Sequence, residues 1–179
     1  YEVVHKPHIL GLTGTRRRYD YEYPVTSSNF GETLQFHWGA PSRTGKYTNS
    51  HTGVSLSLNK RLLRGEDVLR VFSPPEHLQG RAGAVHLQNR GCFDVCDIVV
   101  YVPQAPRTLL PEYAGVDELT QWIDWVIGEL PARCTPVILT DSNGHIGPEG
   151  DGLPLELPPG VGRHGLAEKL NYNGRAVLE

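Results

Sequence analysis

The most concentrated chemistry in this chain lies in a strand-like run that ends in Asp-x-Asn-x-His. Thr135-Pro-Val-Ile-Leu-Thr140 is followed at once by Asp141-Ser-Asn-Gly-His145, so a carboxylate, an amide and an imidazole arrive together where a strand turns. Asp141 can orient or deprotonate a water. Asn143 can donate to a phosphate oxygen and hold that water, and His145 can donate a hydrogen bond or carry charge. The same residue types also make an ordinary polar turn, and without context they favour that reading.

The elements that would position these groups can be read from periodicity. Thr135 to Thr140 is apolar, rich in β-branched residues and too short for a helix, which predicts a central strand that delivers Asp141 at its C-terminal end. Ahead of it, Val116, Leu119, Ile123, Val126, Ile127 and Leu130 recur at three- and four-residue spacing, predicting a helix from about Val116 to Leu130 that Pro131 ends. Gly53 to Lys60 alternates, with Val54, Leu56 and Leu58 on one side and Ser55, Ser57 and Asn59 on the other, as in a half-buried strand. Asp67 to Phe72 alternates likewise until Pro74-Pro75. Ala82 to Gln88 and Phe93 to Val102 are apolar runs joined by Asn89-Arg-Gly91, a short link that predicts a hairpin. His8 to Leu12 reads as a short buried strand stopped by Thr13-Gly14, with Tyr1 to His5 as the tail of a preceding helix. Arg16 to Glu32 is polar and aromatic without a period and predicts loop and edge structure. Gly147 to Gly165, dense in Gly and Pro, predicts a surface loop, and Asn171 to Glu179 the start of another element. Together these predict an α+β layered sandwich in one domain, rather than a parallel βαβ array.

At 179 residues and a formal net charge of -3, the chain can bury one sizeable core, and its bulk charge neither demands nor excludes a nucleic-acid partner. The absence of a spanning apolar run and of a signal pattern leads to the expectation of an intracellular chain. Cys92, Cys96 and Cys134 lack paired metal-type spacing and read as buried thiols, not as a disulfide framework or a zinc site. With no Met, position 1 included, the chain is expected to be a piece of a longer protein. Arg16-Arg17-Arg18 suits a phosphate backbone and equally a solvated charge run. Tyr19, Tyr21 and Tyr23 read as edge-strand packing ahead of base stacking, and Trp122 and Trp125 as helix packing.

The Asp141 segment resembles the G-D-F-N-A-H-I-G stretch of the endonuclease/exonuclease/phosphatase superfamily, as found in retrotransposon-type endonucleases. The likeness extends along the chain. Lys6-Pro-His-Ile-Leu-Gly-Leu-Thr-Gly-Thr-Arg16 resembles the family's K-P-D-I-L-A-L-Q-E-T-R strand, His51-Thr-Gly-Val-Ser-Leu-Ser-Leu58 its G-G-V-A-L strand, and Val99-Val-Tyr-Val-Pro-Gln104 its N-V-Y-A-P segment. Leu78-Gln-Gly-Arg-Ala-Gly-Ala-Val85 is similar to a recurring strand start, and Asn171-Tyr-Asn-Gly-Arg175 to the N-x-N-G-x-x-L of retroelement and craniofacial-development-type members. The resemblance implies a four-layered α/β sandwich, partial over residues 1–179, and Mg²⁺- or Mn²⁺-assisted hydrolysis of a phosphodiester in DNA, with the nucleus among the compartments it suits. Asp141 and Asn143 carry over as the pair that orients the nucleophile, Tyr101 as the tyrosine that contacts the phosphate, and His145 as a supporting group.

Departures from the family pattern bear on activity. The family's metal-binding glutamate falls at Gly14, which supplies no ligand. Its N-terminal asparagine would precede Tyr1, and its S-D-H motif would follow Glu179. Glu22, Glu149 and Asp151 are the nearest carboxylates for compensation and read as solvated surface groups. No metal ligand set is therefore assigned, and the expectation is a nuclease-type domain that is inactive as it stands. The alternatives are a non-catalytic remnant or nucleic-acid-binding module, and a phosphatase of the same superfamily.

Overall fold

A computed structural model describes residues 8–16, 21–27, 31–39, 52–61, 63–89, 92–102 and 115–144. These form two four-stranded sheets and one α-helix, a mixed α+β arrangement dominated by strands. In chain order the elements are β1 (Ile9–Leu12), β2 (Tyr21–Ser27), β3 (Gly31–Trp38), β4 (Val54–Asn59), β5 (Val68–Phe72), β6 (Ala82–Asn89), β7 (Phe93–Tyr101), α1 (Gly115–Gly128) and β8 (Thr135–Asp141). The first sheet runs β1-β4-β3-β2 and is antiparallel throughout. The second runs β5-β6-β7-β8 and is antiparallel except where β8 lies parallel to β7. A parallel neighbour requires a crossover, and the connection that carries α1 supplies it.

Strand alternation divides the core in two. Cys96, Ile98 and Val100 of β7 face α1 and pack with Leu119, Trp122 and Val126. Val95, Val99 and Tyr101 point the other way, into a cluster formed by Leu34, Phe36, Trp38, Val54, Leu56 and Leu58 of the first sheet. Since β6 and β7 are covered on both faces, their sequences read as nearly continuous apolar runs. Burying a side chain such as Leu119 or Val126 contributes roughly 1.5–3 kcal/mol.

The helix begins with Asp117 and Glu118 in its first turn, where carboxylates favour the positive end of the dipole. Its buried face is Val116, Leu119, Trp122 and Val126, with Ile123 and Leu130 at its flank. Ile127, counted on the apolar face from spacing, is 37% exposed, and Trp122 occupies the inner stripe in its place. Trp125, read as packing, is 49% exposed although its ring meets Phe72 edge-on at 6.0 Å.

Three further expectations are corrected. The run Arg16 to Glu32, read as loop and edge, contains β2 and enters β3; among the described residues β2 does stand last in its sheet, where Pro24 can forgo a ladder bond. β8, expected to be central, is the last strand of its sheet among the described residues, and Val137 and Ile138 are 38% and 47% exposed. Cys92 is exposed, whereas Cys96 and Cys134 are buried, and burial pushes their thiols up to about 12 and about 11. The expectations for Tyr1 to His5, the 147–165 loop and Asn171 to Glu179 lie outside the described residues.

Close approach of the two sheets depends on glycine. A β-carbon at Gly83 would fall inside the Trp38 indole, and one at Gly11 would meet Leu139 at 3.0 Å. Gly83→Ala is therefore expected to destabilise by about 1–3 kcal/mol. Gly65→Ala, where nothing lies within 4 Å of the new atom, should change stability by no more than about 0.5 kcal/mol. Urea midpoints of the two variants check this.

The same inter-sheet face carries a buried acid. Asp97 is 1% exposed, its Oδ2 has no hydrogen-bond partner, and burial pushes its pKa up from 3.8 to about 6. Between those pH values the folded chain binds the proton more tightly than the unfolded chain does. The stability tied to the neutral acid is thus full below pH 3.8 and is lost as pH rises through 6. Relative to wild type, Asp97→Asn should gain about 2 kcal/mol between pH 4 and pH 7, read from denaturation curves at each pH; a difference independent of pH would contradict this.

Candidate functional site

Tyr101 closes β7, Asp141 closes β8, and the two are Cα partners in the parallel ladder. Leu139 packs into the inter-sheet cluster, as Tyr101 does. Period-two alternation therefore places Asp141 on the same inner face as Tyr101, at the mouth between the sheets.

After Asp141 the chain makes a tight polar turn. The Asn143 backbone N–H donates to Asp141 Oδ1 at 3.2 Å, and the Gly144 N–H donates to Ser142 Oγ at 3.1 Å. The Asn143 side-chain amide donates to the Val102 carbonyl at 2.7 Å, while the Val102 N–H donates to the Asp141 carbonyl at 2.9 Å. Asn143 has a φ of 47°, in the left-handed region that Asn tolerates better than most residues. These bonds tie the turn to the end of β7 and give Asn143 a positioning role within it.

The rim continues through backbone hydrogen bonds. The Tyr101 N–H donates to the Arg81 carbonyl at 2.7 Å, Gly53 to Gly80 at 2.7 Å, Thr15 to Gly53 at 3.0 Å and Arg16 to Thr52 at 2.9 Å. The ends of β1, β4, β6, β7 and β8 are thereby gathered at one end of the two sheets. Gly53 and Gly80, with φ of 105° and 76°, adopt backbone that L side chains disfavour, which lets the two sheet ends approach to hydrogen-bond distance. The Arg81 guanidinium lies 6.0 Å from the centroid of the Tyr101 ring.

Of the residues expected to act, Tyr101, Asp141 and Asn143 come together, and His145 lies outside the described residues. Arg81 carried no assigned role in the sequence. Its position just before the apolar run Ala82 to Gln88, whose hairpin partner ends near Tyr101, was the available signal. Gly14 lies on the same rim with a φ of 63°. A glutamate there would bear roughly 1–2 kcal/mol of left-handed strain. Among the described residues Asp141 belongs to no group of three ligand side chains.

A second polar cluster lies at the opposite end of the second sheet. Asp94 Oδ1 is 2.7 Å from His86 Nε2, and its Oδ2 accepts from Gln88 at 2.8 Å and Arg133 at 2.6 Å. The His86 contact, against the opposing effect of burial and with help from Gln88, Cys134 and Arg133, holds the Asp94 carboxyl down at about 2.

No protein-family model matches the chain, and no curated protein matches it. The functional reading therefore rests on geometry and motifs. No helix among the described residues is long and apolar enough to cross a membrane.

The conformation of Asn143 is open to a direct check. Asn143→Ala loses the bond to Val102 and adds left-handed strain, for about 2 kcal/mol in all, whereas Asn143→Gly loses only the bond. Glycine should therefore be the milder substitution by about 1 kcal/mol, the reverse of its usual rank against alanine. Chemical denaturation of both variants decides it, and an alanine variant as stable as the glycine one would contradict the turn geometry.

Proposed function

We propose that the chain is a partial domain of the endonuclease/exonuclease/phosphatase superfamily, of the retrotransposon endonuclease type, and that its strand-end site engages the phosphodiester backbone of DNA without hydrolysing it as the sequence stands. The observation that carries this reading is the convergence of Tyr101, Asp141 and Asn143, with Arg81 beside Tyr101, on one end of two facing sheets. The four-layered sandwich belongs to the proposal. Two facing sheets with a helix on the outer face of one are in keeping with it.

Each group has a task on a phosphodiester. The Tyr101 hydroxyl donates to a nonbridging oxygen, and the Arg81 guanidinium balances the phosphate charge. Asp141, its Oδ1 held by the Asn143 N–H, orients a water or the sugar end of the backbone. Mg²⁺ or Mn²⁺ belongs to the parent activity, where it would stabilise charge on the leaving oxygen. The donor set here does not fit it. One carboxylate and one amide fall short of a near-octahedral oxygen shell, and Gly14 brings no oxygen side chain. A DNA partner would be met inside the cell, with the nucleus among the compartments it suits.

Fluorescence anisotropy of a labelled DNA duplex tests the binding, and plasmid nicking with Mg²⁺ tests the absence of cleavage. Wild type should bind with an affinity that falls as salt rises, because phosphate contacts release counterions. Arg81→Ala should weaken binding about tenfold, and Tyr101→Phe a few-fold. Nicking should be no greater for wild type than for Asp141→Ala. Salt-independent or undetectable binding would remove the DNA reading. Nicking that depends on Asp141 would replace it with an active nuclease.

A further inference from the structure

The second sheet carries another constellation, remote from the strand-end site. Asp94 and Tyr101 are seven residues apart on β7, which separates the two ends by roughly 23 Å. One ligand atom each from His86, Asp94 and Cys134 lie within 4.8 Å of one another. The side chains of His86 and Asp94 are only 8% and 11% exposed, and Cys134 is 9% exposed. They come from β6, β7 and the residue before β8, three adjacent strands of one sheet.

We propose that His86, Asp94 and Cys134 form a binding site for a zinc-type divalent cation, separate from the Asp141 end of the molecule. The donor set selects the metal. An imidazole nitrogen, a carboxylate oxygen and a thiolate sulfur suit zinc or cobalt, whereas magnesium and calcium need several hard oxygens and find only one carboxylate here. The atoms, all within 4.8 Å of one another, stand within a shift of about an ångström of a tetrahedral zinc shell. Ligands on one tetrahedral zinc stand about 3.3–3.7 Å apart, so the His86 and Asp94 atoms, now 2.7 Å apart, need to separate by about 0.6 Å. Coordination replaces the His86–Asp94 hydrogen bond by two bonds to the ion and displaces the Cys134 thiol proton to solvent.

The surroundings resemble the outer layer of a metal site. Gln88 and Arg133 both donate to Asp94 Oδ2, which holds the carboxylate with Oδ1 turned to His86 and leaves one oxygen for the ion. Three protein ligands leave the fourth tetrahedral position to water. Spacing along the chain could not disclose this set, because its members lie 8 and 40 residues apart and meet only through strand pairing.

Cobalt titration of the full chain tests the site without reference to DNA binding, so its outcome stands whichever way that reading falls. Wild type should take up one equivalent of Co²⁺ with thiolate-to-cobalt charge-transfer absorption in the near ultraviolet, bleached by Zn²⁺. Cys134→Ser should lose the band, and His86→Gln should weaken cobalt binding at least about tenfold. Cys92→Ser, which removes the exposed thiol, and Asp141→Asn should leave the band intact. Should Cys134→Ser fail to fold by circular dichroism, wild type, His86→Gln and Cys92→Ser still decide. The proposal is overturned if wild type gives no band, or if the band survives His86→Gln at full affinity or disappears with Cys92→Ser.

Discussion

The parallel ladder between β7 and β8 is the constraint from which the candidate site follows. It sets Tyr101 opposite Asp141, and through Val102 it gives the Asn143 amide a carbonyl to bond. Without that register the phenol and the carboxylate would end at different heights, and the turn after Asp141 would have nothing to hold it. The ladder in turn depends on α1, which makes a parallel neighbour possible and buries Cys96, Ile98 and Val100 on the outer face of the sheet.

A second constraint acts across the sheets. β1 passes over β8 at Gly11, and Trp38 of the first sheet covers Gly83 of the second. These small residues let backbones approach, and the Gly53 to Gly80 hydrogen bond closes the two sheets at the rim where Asp141 lies. Asp97 is the polar group that this packing leaves between the sheets, and its raised pKa reflects burial alone. The two ends of the second sheet thus differ chemically. One presents an exposed carboxylate beside a half-buried phenol and guanidinium; the other holds a nearly buried nitrogen, oxygen and sulfur set.

Much of the architecture was legible because periodicity reports burial. Leu119, Ile123 and Val126 announced α1, Val54, Leu56 and Leu58 announced β4, and the Gly-containing link at 89–91 announced the β6–β7 hairpin. β3 was legible in principle and was missed: Leu34, Phe36 and Trp38 alternate strictly with Thr33, Gln35 and His37, the period-two pattern of a strand, although Thr33 and His37 prove to be buried as well. That β8 stands last in its sheet among the described residues was hidden for a different reason: an apolar run shows that a strand has an apolar environment, not how many strands flank it. At the site, Asp141 and Asn143 were visible as a polar turn and Tyr101 as a strand end, yet their meeting depends on strand pairing. Arg81 has no signature of its own in the sequence, and the His86, Asp94 and Cys134 set has no local signature at all.

The central claim is that the rim around Asp141 is where the chain meets a phosphodiester backbone. Titration of the isotopically labelled protein with a short DNA duplex, followed by backbone amide NMR shifts, tests it most directly. The largest shifts are expected at Arg81, Tyr101, Val102 and Asp141 to Gly144, with His86, Asp94 and Cys134 at the far end unmoved. Shifts centred on the far end, or no shifts at saturating duplex, would contradict it.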